Sequence, residues 1–153
     1  MELIRYKHAR FSARFPSGFR YSRSHYWMHL MDGETGLWHV GFTKFATRML
    51  GELVEARFTV PVEGTVEPGD QIGWVEGFKA ASDVYCVMRG RFQGINPALE
   101  ADACVIRSSP YEEGYLYSVL GEPEAESLDV HGYIEHLDQL INRMQSEEHQ
   151  PES

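Results

Sequence analysis

The stretch 74-WVEGFKAASDVY-85 sets one lysine among small residues, between two β-like runs, QIGWVEG and SDVYCVM. Paired as a hairpin, those runs would project the Lys79 amine from a rigid tip. Ala80 and Ala81 leave room around it, and Glu76 and Asp83 supply acid on either side. The chain has only three lysines, Lys7, Lys44 and Lys79. A solvated lysine at a turn is the plain reading. The sharper one is a modification site, because an enzyme can grip a fixed loop, and acylation would remove the charge and attach a long flexible arm. Such an arm lets one small protein present a reactive group to several enzymes in turn.

Outward from the lysine the chain keeps a β rhythm. Between Arg20 and Val40 it reads strand, turn, strand: YWMHLM, then 32-DGETG-36, then LWHV, with Asp-Gly and Gly36 as hairpin signals. The run 43-TKFATRMLG-51 predicts a short helix near 43–50, capped by Thr43, stopped by Gly51, with Phe45, Met49 and Leu50 on one face. From Glu52 to Val60 the residues alternate as in a strand. Turn signals then recur at Pro61, Gly64, 68-PGD-70, Gly73, Gly77, Gly90, Gly94 and 96-NP-97. Many short strands with close turns point to a sandwich or barrel, not to a βαβ fold. The end differs: Val130, Tyr133, Ile134, Leu137, Leu140, Ile141 and Met144 recur at helical spacing, predicting a C-terminal amphipathic helix of about four turns.

At 153 residues the chain reads as one domain. The expected organisation is a basic N-terminal arm over 1–20, a mainly β domain over 21–146 and a polar tail over 147–153. The formal charge of −9 conceals an asymmetry, since Arg5, Lys7, Arg10, Arg14, Arg20 and Arg23 are opposed only by Glu2 before residue 24. The strongly acidic remainder argues against nucleic acid as the partner. The basic arm reads as a partly ordered tail that neutralises the acidic body; a docking arm for an acidic partner and an Arg-rich transit peptide are the alternatives. No apolar run approaches the roughly 18 residues of a membrane helix. Two cysteines, Cys86 and Cys104, cannot make a disulfide framework, which suits the cytoplasm.

Other chemistries find little support. His25 and His29 are four apart, a chelating spacing on a helix, but HYWMHLM reads as a strand, where four residues span about 13 Å. His29 could instead face His39 across the hairpin. His131, Glu135 and His136 fit a solvated helix face. No Gly-x-Ser-x-Gly elbow, Cys-x-x-Cys or P-loop is present. Cys86 and Cys104 could meet as a redox pair, yet buried packing explains such residues more simply.

At the lysine the sequence resembles a known family, the H proteins of the glycine cleavage system, lipoyl carriers whose motif reads E-S-V-K-A-x-S-D. Here the run is 76-EGFKAASD-83. SHYW (24–27) is similar to S/E-H-E-W, and VGFTKFATRMLGELV (40–54) to V-G-I-T-x-x-A-x-x-x-L-G-D-I-V. GTVEPGDQIGWVE (64–76), G-x-F-x-G-I-N-P-A-L (90–99) and SSPYEEGYLYSV (108–119) follow in the family's order. The resemblance implies a mainly β lipoyl or hammerhead barrel-sandwich hybrid, with lipoate attached by a lipoate ligase or lipoyl transferase in amide linkage to Lys79. It also implies a carrier in a multi-enzyme system and not an enzyme acting alone, with Glu76, Ala80, Asp83, Ser24 and Tyr26 about the arm.

Several positions depart from the family pattern. In H proteins that carry an aminomethyl group, acidic and polar groups shield the loaded arm in a cleft. The opening glutamate is Tyr26 here, the usual Asp after I-T is Lys44, and S-V before the lysine is Gly77-Phe78. A cationic cargo would lose a countercharge at Tyr26. These changes look like the lipoate-binding proteins of cytoplasmic sulfur oxidation, which partner a heterodisulfide-reductase-like complex. The expectation is therefore a carrier of sulfur intermediates; the alternatives are a true glycine cleavage H protein, an unlipoylated scaffold or a small redox enzyme using the two cysteines.

Overall fold

A computed structural model describes residues 1–148. The chain begins with β1 (Leu3–His8), β2 (Phe11–Pro16), β3 (Arg20–Tyr21), β4 (Tyr26–Asp32) and β5 (Leu37–Phe42), followed by α1 (Lys44–Leu50). Next come β6 (Leu53–Phe58), β7 (Thr65–Val66), β8 (Gln71–Gly77), β9 (Ala81–Tyr85) and β10 (Met88–Ile95). Two single-turn helices, α2 (Ala98–Ala101) and α3 (Val105–Ser108), lead to β11 (Tyr117–Pro123) and to α4 (Val130–Glu148).

The body is a mainly β sandwich of unclosed antiparallel sheets. One sheet has six strands in the order β3-β4-β5-β11-β10-β7, the other three in the order β6-β8-β9. Apolar side chains at alternate positions face the space between them. Met28, Val40, Phe92 and Val119 come from the larger sheet and Val75 and Val84 from the smaller, with Ile72 beside them, all essentially without solvent contact. Each such side chain contributes about 1.5–3 kcal/mol by leaving water.

A second core lies outside this sandwich. α4 runs for 19 residues, about 28 Å, so it is more than five turns long and not four. Its buried stripe is Val130, Tyr133, Leu137 and Ile141, while Met144, expected on that stripe, is half exposed. Phe15 meets the Tyr133 ring edge-on at 5.3 Å, and Tyr21 stacks on it at 4.9 Å.

That core corrects the reading of the first 20 residues as a partly ordered arm. β1 and β2 form a paired hairpin with Tyr6 opposite Ala13 and Ile4 opposite Phe15. The face bearing Tyr6, Phe11, Ala13 and Phe15 is buried against α4 and α1. The Tyr6 hydroxyl donates to Asp138 Oδ1 at 2.7 Å, and His8 Nδ1 lies 2.7 Å from the same oxygen. The density of positive charge hid a two-residue alternation of apolar side chains.

Other expectations shift locally. α1 follows Thr43 and stops at Gly51, but its buried residues are Phe45, Ala46 and Leu50, with Met49 in solvent. The Thr43 hydroxyl does not cap the helix; it pairs with the Tyr133 hydroxyl at 2.7 Å. His25 precedes β4 and its Nδ1 lies 2.8 Å from the same tyrosine oxygen. His29 sits opposite His39 in the β4–β5 register and stacks on Phe19 at 4.1 Å. His131 and Glu135 are solvent-facing, whereas His136 is half-buried, with Nε2 3.1 Å from the Arg23 carbonyl oxygen. Of the polar tail, residues 147 and 148 continue α4, and 149–153 lie outside the described residues. Among the described residues, no helix is long and apolar enough to cross a membrane.

Candidate carrier-attachment site

Lys79 occupies the turn between β8 and β9, the arrangement that the alternating runs around it predict. Three backbone bonds fix the turn. Gly77 N–H donates to the Ala80 carbonyl, Phe78 N–H to the Glu52 carbonyl and Lys79 N–H to the Leu50 carbonyl, each at 2.9 Å. The last two clip the tip to the segment joining α1 and β6. The amine itself donates weakly to the Arg48 carbonyl at 3.4 Å, leaving the side chain exposed.

Two glycines make this close approach possible. A Cβ on Gly77 would lie 2.2 Å from the Leu50 carbonyl oxygen, so the serine expected there from the family motif does not fit this backbone. Gly51 has φ +75°, and a Cβ on it would meet Lys79 Cγ at 2.9 Å and Lys79 N at 3.1 Å. The sequence identified Gly51 only as a helix stop; it is also the floor beneath the lysine.

The predicted site residues fall into two groups. In the β8–β9 register Glu76 lies opposite Ala81, and Trp74 opposite Asp83. Alternation then puts Glu76 and Asp83 on one outer face, as diagonal neighbours about 7–8 Å apart, and both are exposed, as is Ala80. Ser24 and Tyr26 are elsewhere. Ser24 is exposed, with its hydroxyl 2.9 Å from that of Ser22. Tyr26 is buried in the sandwich core, stacked on Phe42 at 5.3 Å. Burial pushes its phenol up to about 12, against a backbone hydrogen bond from Tyr85. Tyr85 is the last residue of β9, which runs away from the Lys79 turn, so Tyr26 lies near the far end of that strand.

Beside the lysine is a groove of about 1040 Å³ that the sequence did not reveal. Its walls are the β1–β2 hairpin, with Arg5, Lys7 and Arg14 from its solvent face and Tyr6 and Ala13 from its buried one, together with one face of α1 and the segment around residues 106–111. Arg5, Lys7, Arg14, Lys44, Arg48 and Arg107 line it together with Lys79, and Glu52 is the one carboxylate-bearing residue in the lining. Leu3, Ile106, Pro110 and Tyr111 add apolar surface. The traceable signals are the alternating Arg5 and Lys7 of β1 and the i, i+3, i+4 spacing of Lys44, Thr47 and Arg48 on α1.

The cysteines are not a pair. Cys86 is buried in the sandwich core and Cys104 is exposed, and both are free. Burial raises the Cys86 thiol pKa, and the hydrogen bond to Glu52 raises that of Cys104. Each is therefore a poorer nucleophile than an ordinary cysteine.

Comparison with known proteins follows the same outline. The profile of the family described as "Glycine cleavage H-protein" matches residues 19–142. The glycine cleavage system H protein of Coxiella burnetii (strain RSA 331 / Henzerling II) is 36% identical over 124 residues, covering 79% of this chain and 93% of that protein. The one from Psychrobacter sp. (strain PRwf-1) is 41% identical over 104 residues, covering 68% and 80%. The crystal structure of the H protein from Mycobacterium marinum superposes with a TM-score of 0.71 at 31% identity, covering 80% of this chain and 98% of that one.

Proposed function

Because the chain belongs to the glycine cleavage H-protein family, we propose that it is a lipoyl carrier with Lys79 as the attachment point. The observation that carries this reading is an exposed lysine on a hairpin tip whose backbone is clipped at Leu50 and Glu52. A lipoyl group bound there would supply a dithiol/dithiolane pair, able to hold a carried group through one sulfur and, for a sulfur cargo, to pass it on by exchange. The protein's own residues do the holding. Gly51 and Gly77 let the tip sit against the α1–β6 segment, and Ala80 keeps bulk away from the lysine. Glu76 and Asp83 give the hairpin an acidic outer face for a lipoate ligase or lipoyl transferase to recognise. Ser24 and Tyr26, at the start of β4, are proposed as further residues about the arm when it folds back on the protein. The chain acts as a component of a multi-enzyme system in the cytoplasm, without catalytic residues of its own and without nucleic-acid or membrane partners.

The named relatives favour glycine cleavage enzymes as the partners. A second reading, sulfur transport for a heterodisulfide-reductase-like complex, draws on one observation: the groove at Lys79 is lined by cations. A positively charged aminomethyl group would be repelled there. Incubating the lipoylated protein with glycine decarboxylase, glycine and pyridoxal phosphate separates the two. Uptake of an aminomethyl group, read by intact mass, supports glycine cleavage. A fully lipoylated protein that stays unloaded rejects it and leaves the sulfur reading.

A further inference from the structure

We propose that the groove beside Lys79 is a docking site for an oxyanion borne on the end of the lipoyl arm. The inference rests on the carrier reading of Lys79 and, of the two cargoes above, on the sulfur one, since an aminomethyl group ends in a cation. Acylation turns the lysine amine into a neutral amide, leaving Arg5, Lys7, Arg14, Lys44, Arg48 and Arg107 around the groove. Among the described residues, none of these six forms an ion pair. Glu52, the carboxylate in the lining, accepts a hydrogen bond from the Cys104 thiol at 3.4 Å.

Two features mark the cations as a set directed at something. Arg5 and Arg14 are direct partners in the β1–β2 register, an arrangement of like charges that weakens a hairpin and gains it nothing by itself. Lys44 and Arg48 occupy the same face of α1 and line the groove with the hairpin cations, Arg48 lying over the Phe11 ring at 5.7 Å and donating to the Arg10 carbonyl at 3.3 Å. The apolar surface of Leu3, Ile106, Pro110 and Tyr111 suits an alkyl chain, while the cations suit an anionic end. The volume, about 1040 Å³, is at the upper end of small-molecule sites. The hairpin that supplies Arg5, Lys7 and Arg14 spans residues 3–16, ahead of the matched region at 19–142. The positive wall is thus added in front of the family body by this chain.

The test uses full-length Cys104→Ser protein, lipoylated and then reduced, so that the arm carries the exposed thiols. Intact mass first confirms lipoylation; if no lipoyl group is found, the carrier reading fails before the groove is tested. The thiols are then capped as thioethers with iodoacetate, 2-bromoethanesulfonate, iodoacetamide or 2-bromoethylamine, giving carboxylate, sulfonate, neutral and cationic ends. Amide chemical shifts report where the arm lies. Both anionic arms are expected to shift β1, β2 and α1 resonances, and a response to sulfonate alone would narrow the ligand to a sulfur oxyanion. Arg5→Gln/Arg14→Gln and Lys44→Gln/Arg107→Gln should each weaken docking by about two- to fivefold per removed charge. Salt near 1 M, where the screening length falls to about 3 Å, should release the arm. Shifts equal for the neutral arm, or larger for the cationic one, would overturn the proposal, as would β1–β2 resonances that respond to no arm.

Discussion

The two flanks of Lys79 differ in sign. On one side the outer face of β8–β9 presents Glu76 and Asp83; on the other, a groove between the N-terminal hairpin and α1 is lined by lysines and arginines. The acidic flank is contiguous in sequence and belongs to the family motif. The basic flank is assembled from segments about 100 residues apart in the chain, between Arg5 and Arg107. The contrast shows that the lysine-bearing hairpin and the groove beside it are separate pieces of structure.

Acid should break the basic flank first and most strongly. His25 packs against Phe45 of α1 at 4.4 Å, beneath that helix. Burial, reinforced by His136, lowers its pKa to about 4, against about 6.5 in the unfolded chain. Between those values the unfolded state binds the extra proton, so stability falls as pH drops from about 6.5 to about 4, by up to about 3 kcal/mol. Burial lowers the pKa values of His29 and His39 in the same direction. Thermal melts at pH 7 and pH 5 should show this loss, and His25→Gln, though less stable at pH 7, should show a smaller difference between the two. An unchanged pH dependence in the variant would mean that His25 is not the titrating group.

Gly77→Ser addresses the acidic flank. The new Cβ would collide with the Leu50 carbonyl oxygen, so the clip between tip and α1–β6 segment must give. A loss of about 1–3 kcal/mol is expected, read as a melting point lower by several degrees, together with slower lipoylation. A variant as stable as the parent would show that the tip is not held where Gly77 places it.

Tyr6→Phe gives the smallest and most local effect. Removing the hydroxyl that donates to Asp138 should cost about 0.5–1.5 kcal/mol. Hydrogen exchange should quicken in β1 and β2 and stay unchanged in β8 and β9, separating the flanks experimentally. Equal acceleration in both would mean that they unfold as one unit.

The sequence made the lysine hairpin, the sandwich, the helix after Thr43 and the amphipathic stripe of α4 legible, because each depends on short-range periodicity or a turn residue. It hid what depends on charge density or distant contact. The Ile4, Tyr6, Phe11, Ala13 and Phe15 pattern is a good strand signal, but the arginines and lysines between those positions made the segment look solvated. Tyr26 was assigned to the arm by motif position; that its ring packs beside Phe42 depends on the β4–β5 pairing and was not legible. Gly77, read as a sign of changed cargo, also has a local packing cause. The groove could not be read at all, since no single segment contains it.

The decisive measurement is peptide mapping by mass spectrometry after incubation with a lipoate ligase. With lysines only at 7, 44 and 79, the modified residue is identified directly. One lipoyl amide is expected, on the peptide containing Lys79, and none on Lys79→Arg protein. A lipoyl group on Lys7 or Lys44, or none on the folded parent protein, would contradict the assignment of Lys79 as the carrier residue.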